Sequence, residues 1–311
     1  MTHNAVEVRG LRKRYGEVTA VDGLDLTIRR GEVFGLLGPN GAGKSTTVEI
    51  LQGHRARDGG EVSVLGADPA TAGRAWRSRV GIVWQDESAP AELTVRETVA
   101  HFARYYPAPR DPEAVISLVG LEAKRDQRVK ALSGGQRRRL DVALGVIGGP
   151  ELLLLDEPTT GFDPAARRQF WELIRLLAAE GTTIVLTTHY LEEAEALADR
   201  LAVITRGRVV AEGEPGELRA RFGTGATVEW TGPDGAPRRV RTATPTRTVT
   251  ELAARTGGEV PGLRVTRPTL EDVYLRLTGQ VTDADDGGGD DGGGGDDGGG
   301  ADGAPRKEES R

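Results

Sequence analysis

Three short segments carry residue types whose spacing allows chemistry on a phosphate. The first reads Gly38-Pro39-Asn40-Gly41-Ala42-Gly43-Lys44-Ser45-Thr46, the pattern of a phosphate-binding loop, set between an apolar strand-like run and a helix-like one. Glycines let successive backbone N–H groups curl toward one anion, and the following helix N-terminus adds positive potential. Lys44 is placed to neutralise the outer phosphates of a nucleotide, and Ser45 to offer its hydroxyl to Mg²⁺. A Gly-rich turn arising by chance is the alternative in a chain with 44 glycines.

About 110 residues later Leu152-Leu-Leu-Leu-Asp156-Glu157 delivers two carboxylates at the end of an apolar run. Asp156 suits a Mg²⁺ contact, direct or through water, and Glu157 can orient or deprotonate an attacking water. A buried strand ending in a solvated acidic pair is the other reading. Of the four histidines only His189 has a specific setting, just after Thr182-Thr-Ile-Val-Leu-Thr-Thr. Either protonation state of the imidazole can donate a hydrogen bond from there. His3, His54 and His101 have no partners at telling spacing and read as surface or packing residues, and no metal-ligand cluster is visible.

Between the loop and the acidic pair lies Leu132-Ser133-Gly134-Gly135-Gln136. This pentapeptide resembles the signature of ATP-binding-cassette (ABC) ATPases, although Ser133 could also be an ordinary helix cap. All the motifs occur once, in that family's order, across roughly residues 6–220. The resemblance implies ATP and Mg²⁺ as cofactors and the signature segment acting in trans, on ATP held by a second subunit. The chain is then half of an ATP sandwich, as a homodimer or paired with a related cassette. It further implies that Tyr15 stacks on adenine, where a buried core Tyr is the plainer alternative. Gln85 becomes the Q-loop residue that touches Mg²⁺ and senses a membrane partner, His189 the switch histidine at the γ-phosphate, and Asp163 the D-loop aspartate. Two positions depart from the family's habit: Phe162 where Leu is more usual, and a bulky Trp84 beside the Q-loop.

The elements that must position these groups are legible in outline. Residues 1–222 alternate strand-like and helix-like segments, the rhythm of a largely parallel sheet. Glu32–Leu37, Leu152–Asp156 and Thr183–Thr187 read as buried central strands and Lys44–Gln52 as a helix. Residues 94–148 read as mostly helical, with a capping box at Thr94–Glu97 and an Asp111-Pro112 helix start. With the resemblance, the fold class is α/β, a P-loop NTPase cassette with a RecA-like core, an antiparallel β subdomain and an α-helical subdomain. Residues 223–281 read as a small α+β accessory region, with strands Ala226–Trp230 and Arg238–Thr242 and helices Thr248–Thr256 and Leu270–Leu277. From Thr282 onward the Asp/Gly-rich chain cannot bury apolar surface and is expected to be disordered, most simply a passive tail.

Composition bounds the partners. The 311 residues carry a net charge of −6, but the eight Asp of residues 282–303 account for the acidity; without them 41 basic face 39 acidic residues. No concentrated basic patch points to nucleic acid. Absence of Cys excludes disulfides and Cys-ligated metals. With no apolar stretch approaching the roughly 20 residues of a bilayer span, the chain is expected to be cytoplasmic and peripheral on the inner face of the cell membrane, working through a separately encoded permease. Pro268–Gly279 resembles the end of drug-exporter cassettes of the daunorubicin-resistance type, although Leu270, Val273, Tyr274 and Leu277 could simply pack on the core. Drug, antibiotic and lipid-like cargo fit that reading. A soluble cassette acting on ribosomes or DNA, and an importer ATPase, are the rivals.

Overall fold

The computed structural model describes residues 4–83, 92–223 and 225–279. In chain order its strands are β1 (Asn4–Tyr15), β2 (Val18–Arg29), β3 (Val33–Leu37), β4 (Gly59–Val64), β5 (Val80–Val83), β6 (Leu152–Asp156), β7 (Thr183–Thr187), β8 (Arg200–Thr205), β9 (Arg208–Gly213), β10 (Ala226–Thr231), β11 (Pro237–Thr242) and β12 (Arg264–Thr266). The helices are α1 (Lys44–Leu51), α2 (Arg74–Arg77), α3 (Val95–Ala103), α4 (Pro112–Leu118), α5 (Gly134–Val146), α6 (Pro164–Ala179), α7 (Leu191–Leu197), α8 (Pro215–Phe222), α9 (Pro245–Thr256) and α10 (Leu270–Leu277).

The central sheet has the order β5-β6-β7-β3-β8-β9, parallel except for the β8–β9 hairpin. Its inner strands are apolar on both faces because both are covered. Along β6, Leu153 and Leu155 enter one core with Leu140 and Val146 of α5 and Phe170 and Leu173 of α6. Leu152 and Leu154 enter the other, with Val48 and Leu51 of α1 and the inward residues of β1 and β2. Period-two alternation in one strand thus glues the sheet to a helical layer on one side. On the other side it meets α1 and a separate antiparallel sheet, β2-β1-β4.

The expected strands and helices are present within a residue or two, including the capping box at Thr94 and the Asp111 cap. Accessory helix α9 begins at Pro245 rather than Thr248, because a proline is well placed in a helix's first turn. Strand β12 completes an accessory sheet of order β11-β10-β12. Helix α10 packs on the core: Leu270 joins Leu201, Val203, Ala211 and Leu218, with Tyr274 and Leu277 beside them. No helix among the described residues is long and apolar enough to cross a membrane.

One surface carboxylate staples the entry to the sheet. Glu151 accepts from Arg79 and, at 2.6 Å, from Arg30, while its backbone bonds Arg79 O and Thr183 N. The two guanidiniums hold its carboxyl down to about 2, against burial, which raises it. A depressed carboxylate stabilises above its unfolded pKa and stops doing so as pH falls through the folded one. Glu151→Gln should therefore lower the unfolding free energy from urea titration at pH 7 by about 1 kcal/mol or less, solvent screening limiting it. The gap to wild type should close as pH falls from 4.5 toward 2; equal gaps at pH 7 and pH 3 would rule out the charge as the cause.

Candidate active site

The loop between β3 and α1 (residues 38–43) demands glycine at two positions. A Cβ on Gly38 would lie 2.3 Å from Ile204 O, and one on Gly43, whose φ is +103°, would lie 2.4 Å from Ala20 O. Gly43 begins α1 with no side-chain cap and no acidic residue in the first turn, which leaves the helix start open to an anion. Lys44 is 5% exposed, and its Nζ donates to Gly38 O (2.7 Å) and Pro39 O (3.2 Å). Burial lowers its pKa, opposed by the charges of Glu157 and Asp156, so these groups share one electrostatic environment. Ser45 is exposed and Thr46 half-buried. Pro39 lies half-buried, Asn40 and Gly41 are exposed at the loop's tip, and Ala42 packs beneath.

Because β6, β7 and β3 are neighbours and parallel, their C-terminal ends bring the remaining groups to Lys44. Thr187, at the end of β7, donates to Asp156 Oδ1 and accepts from Glu157 N (3.0 Å), clamping the acidic pair. Glu157 holds φ +44°, a left-handed conformation rare outside glycine, as residues at working sites sometimes do. His189 Nδ1 lies 3.3 Å from Glu157 Oε2, and its ring packs against that of Tyr190 at a 40° tilt, centroids 4.0 Å apart. Asp163 caps α6 by accepting from Ala165 N and Ala166 N, and the unusual Phe162 packs edge-on against Phe170.

Tyr15 is 40% exposed under the side chains of Lys13 and Arg55, so it is a surface platform and not a core residue. Ser133 starts α5 in a reciprocal capping box with Gln136. Ser133 and Gly134 are exposed, Gly135 and Gln136 half-buried and Leu132 buried. Among the described residues no hydrogen bond joins this segment to Lys44, Asp156 or Glu157. Trp84 and Gln85 lie outside the described residues.

Sequence reasoning missed Arg138. Its guanidinium is buried and donates to Pro158 O and Asp156 O, both at 3.0 Å, tying the signature helix to the acidic strand. Arg137, Arg138 and Arg139 look alike in the sequence. Only the four-residue spacing to Val142 and Val146 puts Arg138 on the buried face.

A family model described as ABC transporter matches residues 21–160. The chain is 44% identical over 302 residues to the Nod factor export ATP-binding protein I of Ralstonia nicotianae, covering 88% of this chain and 94% of that protein. The protein of the same name from Rhizobium sp. is 41% identical over 307 residues, covering 90% and 99%. The chain belongs to the ABC transporter ATPases. As an ABC ATPase it binds and hydrolyses ATP, and its fold agrees with solved relatives. CbiO1 from Clostridium perfringens, part of the ABC transporter complex CbiONQ, superposes with a TM-score of 0.63 at 28% identity, covering 70% of this chain and 91% of that one. An ATP-binding subunit of another ABC transporter gives 0.63 at 27%, covering 70% and 93%. The relatives are named for Nod factor export and not for daunorubicin resistance.

The residues present fit a magnesium nucleotide. An uncapped helix start and a buried lysine suit phosphates, and the oxygens of Ser45 and Asp156 suit a hard cation. The described residues hold no cluster of three or more His, Asp or Glu able to cage a metal. That is the donor set expected where Mg²⁺ takes one or two protein oxygens and the rest from phosphate and water.

Proposed function

We propose that this ABC ATPase energises export of a drug-, antibiotic- or lipid-like substrate through a separately encoded membrane permease, lying against the inner face of the cell membrane. The observation that carries this is the reach of the similarity. The relatives named for export align over 88–90% of the chain, past the end of the cassette, whereas the solved cassettes account for 70% or less. In this reading residues 1–222 are the cassette, 223–281 an accessory unit that docks α10 on it, and 282–311 a tail.

The chemistry follows from the placement of the side chains. Lys44 and the backbone of residues 38–46 bind the phosphates and Tyr15 supports the adenine. Ser45 and Asp156, with Gln85, hold the cation, which when bound neutralises charge on the phosphates. Glu157 orients water and accepts its proton, and His189 donates to the γ-phosphate. The exposed Leu132–Gln136 segment closes over the nucleotide of a second subunit, completing what one chain leaves open. A dimeric structure of the cassette MJ0796 bound to ADP and Pi shares this fold, at 24% identity and a TM-score of 0.60.

On this reading, co-expression with a membrane permease encoded in the same gene cluster should carry the chain into detergent-extracted membranes, with ATPase activity several-fold above that of the isolated chain. Recovery with ribosomes or nucleic acid, and none with membranes, would replace export by the soluble-cassette reading.

A further inference from the structure

Glu157 holds its carboxylate on a backbone with φ +44°, a conformation that an ordinary residue leaves unless its surroundings prevent it. The peptide unit joining Asp156 to Glu157 is gripped from both ends. Its N–H, on Glu157, donates to Thr187 of β7, at 3.0 Å to Oγ1 and 3.1 Å to the carbonyl. Its carbonyl, on Asp156, accepts from Nη2 of Arg138 at 3.0 Å. The same guanidinium reaches past Glu157 and donates from Nε to Pro158 O, also at 3.0 Å. Between the two carbonyls lie only the backbone dihedrals of Glu157 and Pro158, and the Pro ring locks its own φ. One planar fork therefore brackets Glu157 and fixes where its side chain leaves the chain.

Arg138 is itself well anchored. It is 9% exposed, and the next turns of α5 place Leu140, Val142 and Val146 in one core with Leu153 and Leu155 of β6. The helix and the strand that it braces are thus a single packed unit. Burial lowers the pKa of the guanidinium, and the charges of Asp141, Asp156 and Glu193 oppose that. A buried cation is costly to desolvate, and this one directs two donors at the carbonyls either side of one residue.

We propose that Arg138 is a positioning residue for ATP hydrolysis, its guanidinium holding the backbone of Glu157 so that the carboxylate meets the attacking water. This rests on the role given above to Glu157. Arg138 acts through that residue and touches no reacting atom. Lys44 and the phosphate loop follow a different strand, β3, so ground-state binding of the nucleotide is left to them.

The test uses the full chain carrying Arg138→Met or Arg138→Lys, each with and without Glu157→Gln, and thermal unfolding to confirm folding. Met fills the space without donors; Lys keeps the cation but is a point donor that lacks the fork. The Met change should lower kcat about tenfold and the Lys change about fivefold, with KM for ATP within about twofold of wild type. General damage to the site would raise KM as well. In the Glu157→Gln background, single-turnover hydrolysis should fall no further when Arg138 is changed, because the carboxylate it positions is already gone. Unchanged kcat in either folded variant, KM rising in step with falling kcat, or the full loss repeated in the Glu157→Gln background would overturn the proposal. If Arg138→Met does not fold, Arg138→Lys decides alone on the same readings. Wild-type turnover in Glu157→Gln would instead sink the site assignment, so the two failures are distinguishable.

Discussion

Glu157→Gln retains ATP and loses about a hundredfold or more in turnover. The amide matches the carboxylate in size and cannot accept a proton from water, so the loss falls on the chemical step. Binding should persist because the groups proposed to hold the phosphates lie elsewhere: the loop glycines, the buried Lys44 ammonium and the open start of α1. The fold should also persist. Gln is no worse than Glu at φ +44°, and the Thr187 clamp on the backbone of residue 157 is untouched. His189 loses its carboxylate neighbour at 3.3 Å. Equilibrium ATP binding and phosphate release measured on the same preparation separate the two effects. Turnover at the wild-type rate would remove Glu157 from the mechanism.

How much of this was legible in the sequence depended on whether a residue's role is local. The phosphate loop is local: its glycines, Lys44 and Ser45 are contiguous, and the backbone geometry that needs them is written in the same nine positions. The apolar runs of β3, β6 and β7 were equally plain, since strands covered on both faces leave no polar positions to confuse the pattern. Contacts across the chain were not legible. Thr187 reads as one more β-branched strand residue, and only the β6–β7 pairing puts its hydroxyl on Asp156. Glu193 is indistinguishable from Glu192 by type, and helix phase alone buries one and exposes the other. Strand β12 gave no signal because its three residues are all exposed and so carry no alternation. The left-handed backbone of Glu157 has no compositional mark, since such a conformation is usually announced by glycine.

The second large effect concerns the composite site. Lys44→Ala removes the only ammonium placed inside the loop and so should abolish productive ATP binding in its own chain. Ser133→Arg sets a bulky cation on an exposed segment that bonds no group of its own chain's cluster, so that chain's phosphate loop stays intact. The lost cap costs about 1 kcal/mol, too little to unfold the domain. Each variant alone should turn over ATP at about a hundredth of the wild-type rate or less. Mixed, they form some dimers in which one chain's intact loop faces the other's intact signature, while the opposite site carries both lesions. The measurement that decides whether hydrolysis takes place between two chains is ATPase activity of the two variants mixed in varying ratio, with mixed dimers quantified by differential tags. Activity that rises with the mixed-dimer fraction is the predicted result; mixed dimers with no more activity than either variant alone would contradict it.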